Sequence, residues 1–284
     1  MIASYPLLAI LLGTFLLAVY NNFSKISLAK LKSPASHTMT ALHLILGGVI
    51  LIVFALLQPN VFHWEEGFWS AILITGALNI LIMFARMKAR ELSDLSLVAS
   101  IDSTTPFFVL INGMIFLREY PSKQGVIGIL LLVLGMLIIG YGSKMIQKNT
   151  KGLYWALCAA LVSSVSLLFD GLIARKGTIA LGLGCVFLFA GIGNALLAYR
   201  FERISWSKIS SVFSMSLICA LLIAVANITI AYTYRYLPIA YVGSLKRLQI
   251  PFTIILAYIF LNEKENLKSR LLGGTVMALG STLL

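Results

Sequence analysis

About ten times along this chain, some 20 residues in a row are almost wholly apolar. That is the length at which a helix rising 1.5 Å per residue crosses a hydrocarbon layer roughly 30 Å thick. The runs fall near residues 5–25, 35–57, 67–87, 95–117, 125–142, 153–173, 181–199, 212–234, 239–261 and 267–284. Lipid offers the backbone no water, so each run must satisfy its own N–H and C=O groups as a helix. Composition agrees, with 60% hydrophobic and 11% charged residues over 284 positions and a mean hydropathy of +0.96. A water-soluble globular enzyme is excluded. The expectation is an all-α polytopic protein, integral and multi-pass, in a bacterial inner (plasma) membrane.

Lys and Arg number 22 against 10 Asp and Glu, a formal charge of +12. The basic residues lie mostly in short connectors, without a basic stripe interleaved with aromatics, so positive-inside bias explains them and no nucleic-acid partner is expected. Odd-numbered connectors carry 15 basic residues and even-numbered ones 5, which places both termini outside the cytoplasm. Cys158, Cys185 and Cys219 sit inside apolar runs and read as packing residues; no Cys-x-x-Cys or His-Glu-x-x-His pattern suggests a metal, and no Gly-rich phosphate loop suggests ATP. No cofactor is expected. The first run lacks a basic leader and a small-residue cleavage site, so it reads as a retained helix rather than a removable signal.

An internal repeat organises the runs. Pro106 and Pro251, Gly128 and Gly273, Gly135 and Gly280, Arg90 and Arg235, and Lys30 and Arg175 are each 145 residues apart. Ile115 to Glu119 and Ile259 to Glu263 match at 144, which implies connectors of slightly different length. The chain divides into residues 1–145 and 146–284, five helices each. Because five is odd, the second copy enters the bilayer from the opposite face, an inverted-topology repeat of the kind that supports alternating access. Connector charges invert with it, 3, 0, 3 and 2 in the first copy against 2, 3, 1 and 3 in the second.

The stretch from Leu237 to Arg247, followed by Pro251, Phe260-Leu261-Asn262-Glu263 and Gly273 to Gly280, resembles the EamA-type repeat of the drug/metabolite transporter superfamily. Its first-copy counterpart runs from Arg90-Glu91-Leu92 through Pro106, Leu117-Arg118-Glu119 and Gly128 to Gly135. The resemblance implies a ten-helix carrier with a central cavity lined mainly by helices one, three, four, six, eight and nine. Lys25 stands where the family often has a lysine near the end of the first helix. His43 stands where many members have an arginine in the second, so that arginine's role does not carry over. Lys246-Arg247 resembles the basic pair that phosphate-substrate branches use in the ninth helix. Asp102, however, stands where sugar-phosphate carriers use a fourth-helix lysine.

Ionisable groups at membrane depth cost on the order of 2.5–3.5 kcal/mol or more, so each needs a partner or a task. Asp102, Asp170, Lys246 and Arg247 are such groups. The basic pair reads as a seat for a carboxylate or phosphate, or as partners of Asp102 that tie helices four and nine together. Asp102 alternatively carries a coupling proton. Gln249, Asn22 and Tyr20 complete the predicted substrate site, the amides either touching substrate or bridging helices. Pro106 and Pro251 are expected mid-helix, each removing a backbone hydrogen bond and acting as a hinge. Tyr234 and Tyr236 read as an interfacial belt.

These features point to a secondary-active carrier of a small organic metabolite, anionic or zwitterionic, in which a proton or counter-substrate supplies the driving force. A proton-coupled exporter of amino acids or drugs and a flippase for an amphiphilic, lipid-linked substrate are the competing readings. An intramembrane enzyme has no acid/base or nucleophile constellation to recommend it.

Overall fold

A computed structural model describes residues 4–31, 36–59, 61–92, 101, 104–141, 150–202, 206–261 and 267–283. Among them the chain is helical throughout, apart from turns and an isolated bridge between Trp64 and Gly177. The helices are α1 (Ser4–Leu31), α2 (Ser36–Leu56), α3 (Phe68–Leu92), α4 (Thr105–Phe116), α5 (Lys123–Tyr141), α6 (Thr150–Lys176), α7 (Ile179–Phe201), α8 (Trp206–Thr233), α9 (Ile239–Leu245), α10 (Gln249–Leu261) and α11 (Leu267–Ser281). A 3₁₀ turn, Lys246–Leu248, joins α9 to α10. Every predicted apolar run therefore holds a described helix. Six of them, α1, α2, α3, α6, α7 and α8, are long and apolar enough to cross a membrane unaided.

The chain forms two compact units. Unit 1 comprises residues 1–80 and 169–235; unit 2 comprises residues 81–168 and 236–284. Each draws helices from both halves of the sequence. Large apolar side chains point outward, as Leu8 (63% exposed) and Leu196 (67%) illustrate, while small ones such as Ala18, Ala55, Ala220 and Ala226 are fully buried. That inversion of the soluble-protein rule follows from the solvent. Lipid tails are as apolar as leucine, so helices associate by close backbone approach through small residues.

In unit 1, α2 packs against α7 and α1 against α8. A Cβ on Gly48 would lie 2.9 Å from Leu188, and one on Gly191 would lie 2.8 Å from Ile45. As the chain climbs α2 its partner descends α7, so the two helices run antiparallel. The α1·α8 pair does likewise, with Gly13 beside Ala226 and Ile230 and Leu28 against the Met39–Val212 contact. In unit 2, α5 packs on α11. A Cβ on Gly135 would stand 2.5 Å from the Gly273 carbonyl oxygen, and one on Gly280 would stand 2.7 Å from that of Gly128.

Helix ends carry the polar structure. The first-turn N–H groups of a helix have no intrahelical partner and attract anions. At the start of α2, Glu202 from the end of α7 fills that role. Its Oε1 accepts from the His37 N–H at 2.7 Å, and its Oε2 accepts from the Thr38 N–H and hydroxyl, both at 2.8 Å. Beneath it, the His37 ring donates from Nδ1 to Asn194 Oδ1 at 3.1 Å, because the Asn194 Nδ2 is already given to the Ala190 carbonyl. In unit 2, Glu119 accepts the Ile239 N–H at 2.7 Å and so caps α9. Arg118 adopts φ 54° just before it, and the Glu119 N–H returns to the Gly113 carbonyl. This is a Schellman-type stop with arginine where glycine is usual.

One expectation changes here. Tyr234 is 2% exposed while Tyr236 is 51% exposed, so only the second fits a belt at the membrane surface. The chain turns between them, after α8, and carries Tyr234 into the packed interior.

Candidate functional site

Lys246 and Arg247 lie in the 3₁₀ turn between α9 and α10, in unit 2. The turn tightens there for a local reason. Pro251 has no N–H to offer the Arg247 carbonyl four residues earlier. The Gln249 N–H instead donates to the Lys246 carbonyl, the i to i−3 bond of a 3₁₀ helix. Both basic residues and Gln249 are half-buried. The basic pair thus sits at a break in helical regularity, where the backbone exposes carbonyls beside the two cationic stems.

The two prolines are placed differently from one another. Pro106 occupies the first turn of α4, where an N–H lacks an intrahelical acceptor in any case and proline is tolerated. Pro251 lies midway along the continuous helical stretch 239–261, just past its 3₁₀ turn, as a mid-helix proline that removes a backbone hydrogen bond. Asp102 lies outside the described residues.

Tyr20 and Asn22 belong to α1 in unit 1. The Tyr20 hydroxyl lies 3.2 Å from His43 Nδ1 on α2, and the two rings meet edge-on with centroids 5.6 Å apart. Asn22 turns its Nδ2 back to the Ala18 carbonyl at 2.9 Å. Asn79 and Asn227 do the same to Thr75 and Ile223. An amide that the sequence reading passed over, Asn112 on α4, bridges two helices by donating to the Ser164 hydroxyl on α6 at 2.8 Å.

Within unit 1 the structure joins Tyr20 to His43. His43 is fully buried and its Nε2 has no hydrogen-bond partner. A buried orphan of this kind needs an explanation of its own. Its sequence signal was a histidine inside an otherwise apolar run. Glu202 gave no comparable signal, because its partners lie about 165 residues away. Unit 1 also contains a cavity of about 590 Å³, and none of the predicted site residues lines it. Among the described residues, no group of three or more His, Cys, Asp or Glu side chains could hold a metal ion.

Long apolar helices with polar groups gathered at their ends and at one interrupted helix define an integral, multi-pass membrane protein. Residues 4–141 match the EamA-like transporter family, and the chain belongs to those transporters within the drug/metabolite transporter superfamily. No curated protein matches the sequence. A solved chain described only as "Crystal structure of protein" is similar at TM-score 0.74 and 17% identity, covering 97% of this chain and 95% of that one. At that identity the likeness concerns the fold alone.

Proposed function

We propose that the protein is a secondary-active transporter that moves a small anionic or zwitterionic metabolite by alternating access between two inverted five-helix repeats, residues 1–145 and 146–284. The observation that carries this reading is a pair of self-exchanging glycine contacts. Gly135 meets Gly273 and Gly280 meets Gly128; shifting each residue by 145 turns one contact into the other. Gly48 with Leu188 and Gly191 with Ile45 exchange in the same way under a shift of 143. A contact in which i meets j and the image of j meets the image of i is the signature of a two-fold axis. Antiparallel partners require that axis to lie across the helices, which is the geometry of inversion. The change from 145 to 143 reflects connectors of unequal length.

In this reading Lys246 and Arg247 hold the anionic group of the substrate, the arginine through its planar fork and the lysine as a mobile charge. Gln249, Asn22 and Tyr20 contribute polar contacts, Asp102 balances charge, and Pro106 and Pro251 set the bends about which the repeats move. An ion gradient or counter-substrate supplies the energy. The experiment is counterflow in proteoliposomes with radiolabelled amino acids and dicarboxylates. Saturable exchange that falls at least about tenfold in Lys246→Ala and Arg247→Ala is expected, and undiminished exchange in both removes the site. Cysteines at His63 and Ser205 are expected to label from opposite faces; labelling from one face overturns the inversion.

A further inference from the structure

The cavity of unit 1 lies where the ends of α2, α6 and α8 meet the starts of α3 and α7. Arg175, Lys176 and Arg235 line it, with His63 and a single acid, Glu65. These cations belong to the even-numbered connectors, which hold only 5 of the chain's basic residues, yet three of the five converge on this one space. Their heads are fixed by the helix ends they cap. Arg175 donates from Nε to the Tyr234 carbonyl, at 2.7 Å, just beyond α8. Arg235 reciprocates at the end of α6, donating from Nε to Ala174 and from Nη2 to Gly177, at 2.7 and 2.8 Å. Lys176 Nζ reaches the Glu66 carbonyl at 2.7 Å.

Capping does not exhaust these donors. Arg235 uses two of its five N–H groups and Lys176 one of its three. Arg235 and Lys176 are therefore held in place with donors to spare, an arrangement that lowers the ordering cost of capturing an oxyanion. Thr178 adds to the effect, because its hydroxyl donates to the Val61 carbonyl and it gives α7 no side-chain cap. The positive end of the α7 dipole then faces the same space at Ile179 and Ala180.

Besides Gln58 and Gly177, the remaining lining is Phe54, Ile228 and Tyr232, and the two rings are exposed at the protein surface. Phe54 (48% exposed) and Tyr232 (41%) lie near the ends of membrane-crossing helices, and Ile228, one turn before Tyr232 on α8, lines the same space. Trp64 stacks on Phe68 and meets Trp69 edge-on beside it, an aromatic cluster of the kind that marks headgroup depth. Cations at one side and exposed apolar rings at the other fit an amphiphile with an anionic head better than a fully soluble anion. We propose that this cavity binds an anionic phospholipid, its phosphate held by Arg175, Lys176 and Arg235 and its acyl chains leaving past Phe54 and Tyr232. The inference does not rest on the transport reading, whose basic pair lies in unit 2.

The test compares melting midpoints of the full chain in detergent supplemented with phosphatidylglycerol or with phosphatidylcholine. Phosphatidylglycerol is expected to raise the midpoint further by mass action. Lys176→Gln leaves both arginine caps intact and is expected to weaken that increment about fivefold in lipid concentration; Lys176→Gln with Arg235→Gln is expected to weaken it about 25-fold. Each increment is a difference within one protein, so a variant of lower baseline stability still reports. Lys30→Gln, an exposed charge-matched change on α1, is expected to leave the increment unchanged. An equal increment in the wild type and Lys176→Gln, or an equal loss in Lys30→Gln, overturns the site. Inorganic phosphate that reproduces the whole increment in phosphatidylcholine overturns the lipid assignment in favour of a soluble anion.

Discussion

The two units close their helix pairs by the same device but with different firmness. In unit 2 the glycines of α5 and α11 face backbone: Gly135 meets the Gly273 carbonyl and the Met277 nitrogen, and Gly280 meets the Gly128 carbonyl and the Leu132 nitrogen. In unit 1 the nearest neighbours of Gly48 and Gly191 are side-chain atoms, Leu188 Cγ and Ile45 Cγ1. Backbone of a packed helix cannot step aside, whereas a leucine or isoleucine can change rotamer. The polar ends are held by carboxylates in both units. The α2 start in unit 1 gives three close donors to Glu202, and the α9 start in unit 2 gives Glu119 the Ile239 N–H. Unit 2 is sutured through its middle and unit 1 is clamped at its end.

The largest effect should come from breaking the backbone suture. Gly135→Leu is expected to cost about 3 kcal/mol in reversible unfolding by SDS in mixed micelles, since its side chain must displace α11. A cost near zero would show that α5 and α11 do not touch as described. Removing the clamp comes next. Glu202→Ala strands the His37 and Thr38 donors and should cost about 2–3 kcal/mol by the same assay; Glu202→Gln, which keeps one carbonyl oxygen, should cost less.

Two milder changes sharpen the contrast. Gly191→Ala meets the Ile45 side chain at 2.8 Å and its backbone nitrogen at 3.0 Å, a looser approach than the 2.5 Å at Gly135, and should cost about 1 kcal/mol, below the unit 2 value. Equal penalties for Gly191→Ala and Gly135→Ala would erase the distinction between the units. Glu119→Ala removes one cap at α9 and is likewise expected to cost about 1 kcal/mol. The smallest effect has the opposite sign. Arg118 holds a left-handed conformation at φ 54°, so Arg118→Gly should stabilise the protein by about 0.5 kcal/mol, visible as a small rise in melting midpoint.

Much of the fold was legible in the residue order. The apolar runs located the helices, because a segment in lipid must satisfy its backbone locally and announces itself by hydrophobicity alone. The 145-residue period singled out Gly128, Gly135, Gly273 and Gly280, the residues that α5 and α11 press together. It also singled out Arg175 and Arg235, although nothing in their spacing announced a reciprocal pair of helix caps beside a cavity. Pro106 was expected mid-helix and stands in the first turn of α4, because a run of apolar residues does not mark where a helix begins within it; Pro251 lies midway along 239–261, beside a 3₁₀ turn that the run equally conceals. The Nδ2 groups of Asn22, Asn79 and Asn227 turn to their own i−4 carbonyls, which lie always within reach of a helical amide. The Glu202 clamp was invisible, since a carboxylate at one helix end says nothing of which distant helix start it will meet.

What the sequence settles by itself is that the chain is a multi-pass helical membrane protein and where its apolar runs lie, each a consequence of local hydrophobicity. Tertiary structure decides which faces touch. Helices apolar on every side carry no stripe to mark an inner face, and between them lipid supplies no hydrophobic force to choose one. The choice falls to the fit of bare backbone against bare backbone at a few glycines, and to the charges that gather where helices end.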